Sequence, residues 1–162
     1  MVEDPEAATS LRLGIAWGQA LNRRDRDGAR ACLHDDMVVI DHRPASTYAP
    51  ETGADAYVEL MLATGAVSDD VRWRWSDAFE DHPGLVGRAG VLMSGHLNDG
   101  GGSAEIRVDG VSVRRGDRLE RIELFEPGTI AEQQNRVAEL GTRLPVGSPA
   151  SRADGHRPDA AV

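Results

Sequence analysis

The stretch VVIDHRP, residues 38–44, decides how this chain folds. Val38, Val39 and Ile40 form a short β-branched run, the composition of a buried strand. The run leads directly into Asp41, His42 and Arg43, and Pro44 ends it. Three ionisable groups therefore stand where a strand leaves an apolar interior. Such a cluster marks either a strand that surfaces or the floor of a pocket, and the flanking segments must decide between the two.

Upstream, residues 9–24 carry a helical stripe of Leu13, Trp17, Ala20 and Leu21, with Leu11, Ile15 and Gly18 beside it. Residues 25–34 predict a second, short helix with Asp25 as its cap. The strand itself covers residues 37–42. A loop with two prolines, 44–52, leads to a third helix over 54–64, with Tyr57, Leu60, Met61 and Thr64 on one face. Four strands follow, over 71–79, 85–97, 104–114 and 119–125. The turn signals DHPG, NDGGGS and RRGD join them as successive hairpins. A last short helix is predicted over 129–140. Residues 1–8 are expected to be a loose arm. Residues 141–162, rich in Pro, Gly, Ser and Ala, are expected to be a disordered tail. One domain over 9–140 remains. The order predicts an α+β fold: a strongly curved, antiparallel or mixed sheet with the N-terminal helices packed over its concave face.

Composition narrows the function classes. The formal charge is −9, and no basic block stands out, which argues against nucleic acid. All basic side chains other than histidine are Arg. The single cysteine, Cys32, excludes an internal disulfide and reads as a small buried residue. The acidic N-terminus has no apolar segment like a leader's, and no run approaches a membrane span. A cytoplasmic protein is expected. His34, His42, His82, His96 and His156 show no ligand spacing, so no metal site is expected. Fingerprints for nucleotide cofactors and for serine hydrolases are missing, so no cofactor is expected.

Hairpin register assigns side chains to faces. Tight turns set Asp77 opposite Arg88, His96 opposite Glu105, Ser94 opposite Arg107 and Asp109 opposite Glu123. One face then carries Trp73, Trp75, Arg88, His96, Asp109, Glu123 and Phe125, and the other Val91, Met93, Ile106, Val108, Ile122 and Leu124. A bulge near residues 109–110 could interrupt the count. Because tryptophans and Phe125 belong away from water, the mixed face is expected beneath the helices, as a pocket with aromatic walls and placed charges. The apolar face is expected to pair with a second copy, giving a homodimer through the sheet.

The element order, with LHDDMVVIDHRP, GADAYVELM and DRLERIELFEP, resembles the nuclear-transport-factor-2-like superfamily over about residues 10–140. Within it the chain looks most like the SnoaL-like branch, which includes polyketide cyclases and uncharacterised actinobacterial proteins. The resemblance implies a bent sheet, a cavity under the helices and a dimer through the sheet. HDDMVVIDHRP is similar to the segment of ketosteroid isomerases that holds their proton-shuttling aspartate, and Asp41 falls on that position. Where those enzymes place an oxyanion-hole tyrosine stands Trp17, which donates a hydrogen bond but is no acid. Against limonene-epoxide-hydrolase-like members, Arg88 and Glu123 resemble the arginine and the last-strand acid, while the middle aspartate falls on Gly90. His96 and Asp109 are the nearest match to the acid–base pair of the cyclases.

The expected function is therefore cofactor-free acid–base catalysis on a small apolar polyketide- or terpenoid-like molecule, by cyclisation, isomerisation or epoxide opening. Asp41 is the expected base, Arg88 the anion stabiliser, and Glu123 or Asp109 the partner acid. Trp17, Tyr57, Trp73, Trp75, His96 and Phe125 are expected to line the substrate site. The competing reading is a non-catalytic ligand-binding or dimerisation module, in which Asp41 merely caps a turn or pairs with Arg43, and Glu123 is bridged to Arg88 or Arg121.

Overall fold

A computed structural model describes residues 5–44, 52–66, 68–75, 80–82, 86–98 and 100–143. Helix α1 (Pro5–Asn22) begins inside the stretch expected to be a loose arm. Its stripe is buried as read: Leu13, Trp17, Ala20 and Leu21. The helix ends in a Schellman turn. The Asp25 N–H bonds the Ala20 carbonyl at 2.9 Å, and Arg24 N–H bonds that of Leu21 at 3.0 Å. Arg24 adopts φ 55°, a conformation that favours glycine. Its guanidinium offsets the strain by donating to the carbonyls of Gly65, at 3.0 Å, and Ser68, at 2.9 Å.

Helix α2 (Arg26–Ala31) is shorter than its expected span. Asp25 caps it, accepting from Gly28 N–H at 2.9 Å, and Cys32 closes it. His34 instead lies in β1 (Leu33–Asp41). Helix α3 (Ala54–Gly65) buries Ala54, Tyr57, Val58, Met61 and Gly65. The stretch expected as one strand over 71–79 contributes β2 (Arg72–Trp75), and β3 (Glu80–His82) is a separate strand. Then come β4 (Val86–His96), β5 (Ser103–Arg115), β6 (Arg118–Phe125) and α4 (Ile130–Arg143).

The sheet is mixed, in the order β1-β6-β5-β4-β2 with β3 also on β4, and β1 runs parallel to β6. The observed hairpins slip by two residues from the expected register. Ser94 faces Glu105 instead of Arg107, and Asp109 faces Phe125 instead of Glu123. A slip of two leaves every side chain on its face. The irregularity falls between Val113 and Arg114, not near residues 109–110.

The first strand differs in kind. Trp73 pairs with Met93 and Trp75 with Val91, whereas Arg88 pairs with Glu80. That odd offset moves the register positions of both tryptophans to the apolar face; Asp77 and the Trp75 side chain lie outside the described residues. The expectation of a charged face beneath the helices is therefore overturned. Helices α1, α2 and α3 cover the apolar face, in one core with Met37, Val39, Ile122 and Leu124, and Trp73 and Val108 pack at its margin. The helices bury most of that face, while Ile106 on β5 stays exposed, so little of the expected dimer contact is left open. Helix α4 covers the opposite face, where Val137 and Leu140 pack with Val111, Val113 and Phe125. Its buried positions Gln133 and Leu140, with Arg136 and Val137 partly covered, follow the i, i+3, i+4, i+7 rhythm of an amphipathic helix.

Candidate functional site

Asp41 is the last residue of β1 and pairs in register with Leu124, which places it on the helix side of the sheet. Its side chain is 1% exposed and that of Arg43 is 17% exposed. Arg43 grips the carboxylate as a fork. Asp41 Oδ1 accepts from Nε at 2.8 Å and from the Arg43 backbone N–H at 3.0 Å, and Oδ2 accepts from Nη2 at 2.7 Å. The spacing i, i+2 puts both side chains on one side of an extended chain.

Beside Asp41 the sheet is thin-walled. Asp41, Leu124, Gly110 and Ala89 stand in one row across the strands, and Val39, Ile122, Ser112 and Gly87 in the next. Along β5, Asp109, Val111 and Val113 are buried on the α4 side, while Val108, Gly110 and Ser112 between them remain partly exposed. Alternate residues face opposite sides, so that exposed surface opens toward the helices. Gly110 and Ser112 there present little side chain beneath the helices, flanked by Leu124 and Ile122 on β6 and by Val108 and Val91 on the other side.

The aromatic residues divide. Trp17 is buried and stacks on Tyr57, with ring centroids 5.7 Å apart and planes 8° apart. Trp73 is half-buried, and Asn22 secures its backbone: Asn22 Oδ1 accepts from Trp73 N–H at 2.8 Å and Nδ2 donates to its carbonyl at 3.0 Å. The backbone of Trp75 pairs with Val91; its side chain lies outside the described residues. Phe125 is buried on the α4 side with Val111 and Leu140, so it does not line the helix side.

The remaining acids lie across the sheet from Asp41. Glu123 is fully buried. Arg136 holds it through two bonds of 2.8 Å, His42 Nε2 lies 2.7 Å from Oε2, and Arg121 Nε donates to Oε1. Burial pushes this carboxyl's pKa up, but hydrogen bonds from Arg136, Arg121 and His42 together outweigh it and bring the pKa down to about 2. His42 stacks on Phe125 at 4.7 Å. Asp109 Oδ2 accepts from Gly128 N–H and Gln133 Nε2, both at 3.1 Å, while Oδ1 has no hydrogen-bond partner. These groups fasten α4 to the sheet. Glu123 is thus bridged to Arg121, one partner foreseen, and to Arg136 and His42, which were not. The backbone of Arg88 pairs with Val111 on this same α4 side; its side chain lies outside the described residues.

His96 ends β4 in solvent, with Nδ1 2.8 Å from Asp70 Oδ2. The Ser68 hydroxyl, then the His96 backbone and ring, hold the Asp70 carboxyl well below its ordinary range. A surface groove of about 380 Å³, lined by Arg12, Leu13, Ala16, Ala31, Cys32 and Asp117, lies at the other end of β1. Burial, followed by the charge of Asp25, pushes the Cys32 thiol up, away from a nucleophile's range. Among the described residues no group of His, Cys, Asp or Glu could hold a metal ion. No helix among them is long and apolar enough to cross a membrane.

The four expected catalytic groups are therefore not one constellation. Asp41 shares the helix side with Trp17, Tyr57, Trp73 and the Trp75 backbone position, while Glu123, Asp109 and the Arg88 backbone position share the other. Arg43 is the polar partner that the sequence reading treated only as Asp41's neutraliser.

Solved structures share this architecture. An NTF2-like protein from Anabaena variabilis superimposes with a TM-score of 0.62 at 13% identity, covering 77% of this chain and 92% of its own. A protein from Xanthomonas campestris described as a putative polyketide cyclase gives 0.56 at 16% identity, covering 83% and 98%. A Mycobacterium tuberculosis protein in complex with estradiol-17beta-hemisuccinate gives 0.59 at 14% identity, covering 74% and 95%. No curated protein matches the chain. The SnoaL-like domain model matches residues 15–122, from the middle of α1 into β6 and short of α4. The chain belongs to the SnoaL-like domain family.

Proposed function

We propose that the chain binds a small, largely apolar molecule in a hollow beside Asp41 and transforms it without a cofactor, by proton transfer. The observation that carries this reading is the alternation on β5: Val108, Gly110 and Ser112 stay reachable on the helix side in the middle of a sheet whose other side is closed. Pockets of mostly apolar lining with one or two placed polar groups are the ordinary form of small-molecule sites. The Mycobacterium tuberculosis relative in fold holds an estradiol hemisuccinate, and a designed protein of similar fold is a 17-OHP binder, which supports the ligand class.

Asp41 supplies the acid–base group. Its carboxylate takes a proton from a carbon next to a carbonyl, the electron pair moves onto the carbonyl oxygen, and the same proton returns at another carbon. The net result is the migration of a conjugated double bond, an isomerisation; in a cyclisation the enolate carbon instead bonds to a second carbonyl carbon of the same molecule and the proton goes to that carbonyl's oxygen, and neither course consumes an oxidant or reductant. Positioned proton transfer of this kind contributes about 10²–10⁴-fold. A cytoplasmic homodimer belongs to the same proposal, with its contact moved off the apolar face; light scattering checks it.

The competing reading, a binding module without catalysis, is favoured by the fork of Arg43, which engages both carboxylate oxygens of Asp41. Two measurements decide. Ser112→Phe fills the hollow, so Nile red binding should be lost while the melting temperature holds. Deuterium exchange α to the carbonyl of 6-carboxy-2-tetralone should be accelerated by the protein and slowed about 100-fold or more by Asp41→Asn. Unchanged Nile red binding in Ser112→Phe refutes the site, and equal exchange in Asp41→Asn leaves only the binding module.

A further inference from the structure

We infer that the open edge of β5 at Ser103–Ile106 docks an extended, basic segment of another protein, which adds to the sheet as a further strand. This holds whether or not a ligand binds beside Asp41.

A strand edge without a partner carries a row of backbone donors and acceptors and is a template for another chain. The two outermost strands of this sheet have their edges occupied. At β2, the Asn22 side chain accepts from Trp73 N–H at 2.8 Å and donates to its carbonyl at 3.0 Å. At β1, Val39 and Thr52 exchange both backbone bonds, at 3.0 and 3.4 Å. β5 differs. It runs 13 residues, and β4 pairs with it from Ser103 to Val113. On its other side β6 stops at Phe125, opposite Asp109. From Ser103 to Ile106 no described strand lies on that side.

The chain after Phe125 is turned away from this edge by a built turn. Gly128 adopts φ 87°, and its N–H bonds Asp109 Oδ2 at 3.1 Å. The Thr129 N–H and hydroxyl both bond the Glu126 carbonyl, at 3.3 and 2.8 Å. That turn leads into α4, so β6 does not extend along the rest of β5.

The side chains on the edge name the occupant. Ser103, Glu105 and Ile106 are exposed, and Ile106 keeps 47% of its surface open although it is apolar and β-branched. Neither proline nor bulge blunts the segment, because the irregularity of β5 falls between Val113 and Arg114. Alternation sets Ile106 on the helix side and Glu105 on the α4 side. An added strand places one residue directly opposite each of them. An apolar residue then covers Ile106, and its neighbour, a basic one, meets Glu105. Arg107, which follows, already lies 3.8 Å from Asp109 Oδ1, so Glu105 is the charge that selects. The net charge of −9 favours a basic partner at long range as well. Backbone bonds supply the affinity and these two side chains the specificity, as is usual in strand addition.

The test measures fluorescence anisotropy at low salt, with capped, dye-labelled peptides of alternating threonine and valine that carry one central lysine or one central glutamate. The wild type should bind the lysine peptide about threefold or more tightly, as cross-strand charge pairs warrant. Glu105→Lys changes an exposed side chain and should reverse that preference with the melting temperature unchanged. N-methylation separates strand addition from simple charge attraction. Methyl groups on one alternate set of amides in the lysine peptide should abolish binding, and those on the other set should leave it intact. Equal effects of the two methylated sets, equal binding of the two peptides, or a preference that survives Glu105→Lys overturns the inference. Failure of both peptides to bind overturns it too; a dimer seen by sedimentation and dissolved by Ile106→Glu would then assign the edge to a second copy instead.

Discussion

Replacing Glu123 with Gln keeps the shape of a fully buried side chain and removes its charge, so it isolates what the carboxylate does beneath α4. In the native protein the pKa of this group falls from an ordinary 4.5 to about 2. At 1.36 kcal/mol per pKa unit, that difference makes the carboxylate worth roughly 3 kcal/mol near neutral pH. The folded chain binds this proton less tightly than the unfolded chain, so acid favours unfolding. The contribution is complete above about pH 4.5 and is lost as the pH falls toward 2, with roughly half of it gone by pH 3. Removing one partner of a buried pair typically costs about 3–5 kcal/mol, because the other charge is left behind; here Arg136 and Arg121 are left. Urea unfolding of wild type and Glu123→Gln, followed by tryptophan fluorescence at pH 7 and at pH 3, measures both quantities. The variant should be about 3 kcal/mol less stable at pH 7, a melting temperature lower by roughly 10 °C, and the gap should narrow to about half at pH 3. A gap below 1 kcal/mol at pH 7, or one that does not change with pH, refutes the account of this network.

Two further substitutions test how the helices are tied to the sheet. Asn22→Ala removes both bonds to the backbone of Trp73, leaving a strand N–H and C=O without that partner; a loss of about 1–3 kcal/mol is expected in thermal or urea unfolding, with faster amide exchange at Trp73. Arg24→Gly relieves the left-handed backbone, worth about 1 kcal/mol, but gives up two charge-assisted bonds to the end of α3. Net destabilisation is expected by calorimetry, and a gain in stability would show that those bonds contribute nothing.

What could be read from the sequence, and what could not, follows from how each signal is encoded. The α1 stripe was legible because Leu13, Trp17, Ala20 and Leu21 repeat at helical spacing within one short segment, and burial of that stripe needs no knowledge of its partner. The hairpin faces of β4, β5 and β6 survived an error of two residues in every turn because a strand repeats every two. The same arithmetic made β2 fragile. Its odd offset against β4 goes with the separate pairing of Glu80 with Arg88, and no turn motif announces that pairing. One residue of phase moved the register positions of Trp73 and Trp75 across the sheet, and with them the inference about which face the helices cover.

The site shows the same limit at closer range. Asp41 was found from the end of an apolar run, a local signal, and its pairing with Arg43 is equally local, at i, i+2. Glu123 was legible as a buried acid between Ile122 and Leu124, yet its decisive partners come from α4, 13 residues on, and from His42, 81 residues back. Contacts of that range depend on how α4 crosses the sheet, which amphipathic spacing alone does not specify. The consequence for function is concrete. Ionisable residues on the two faces of one sheet have different surroundings: Glu123 and Asp109 hold a helix that lies beyond the family's matched core, while Asp41, paired with Arg43, stands on the helix side at the proposed site. An acid bound on all sides by permanent cations has no way to release its charge for chemistry.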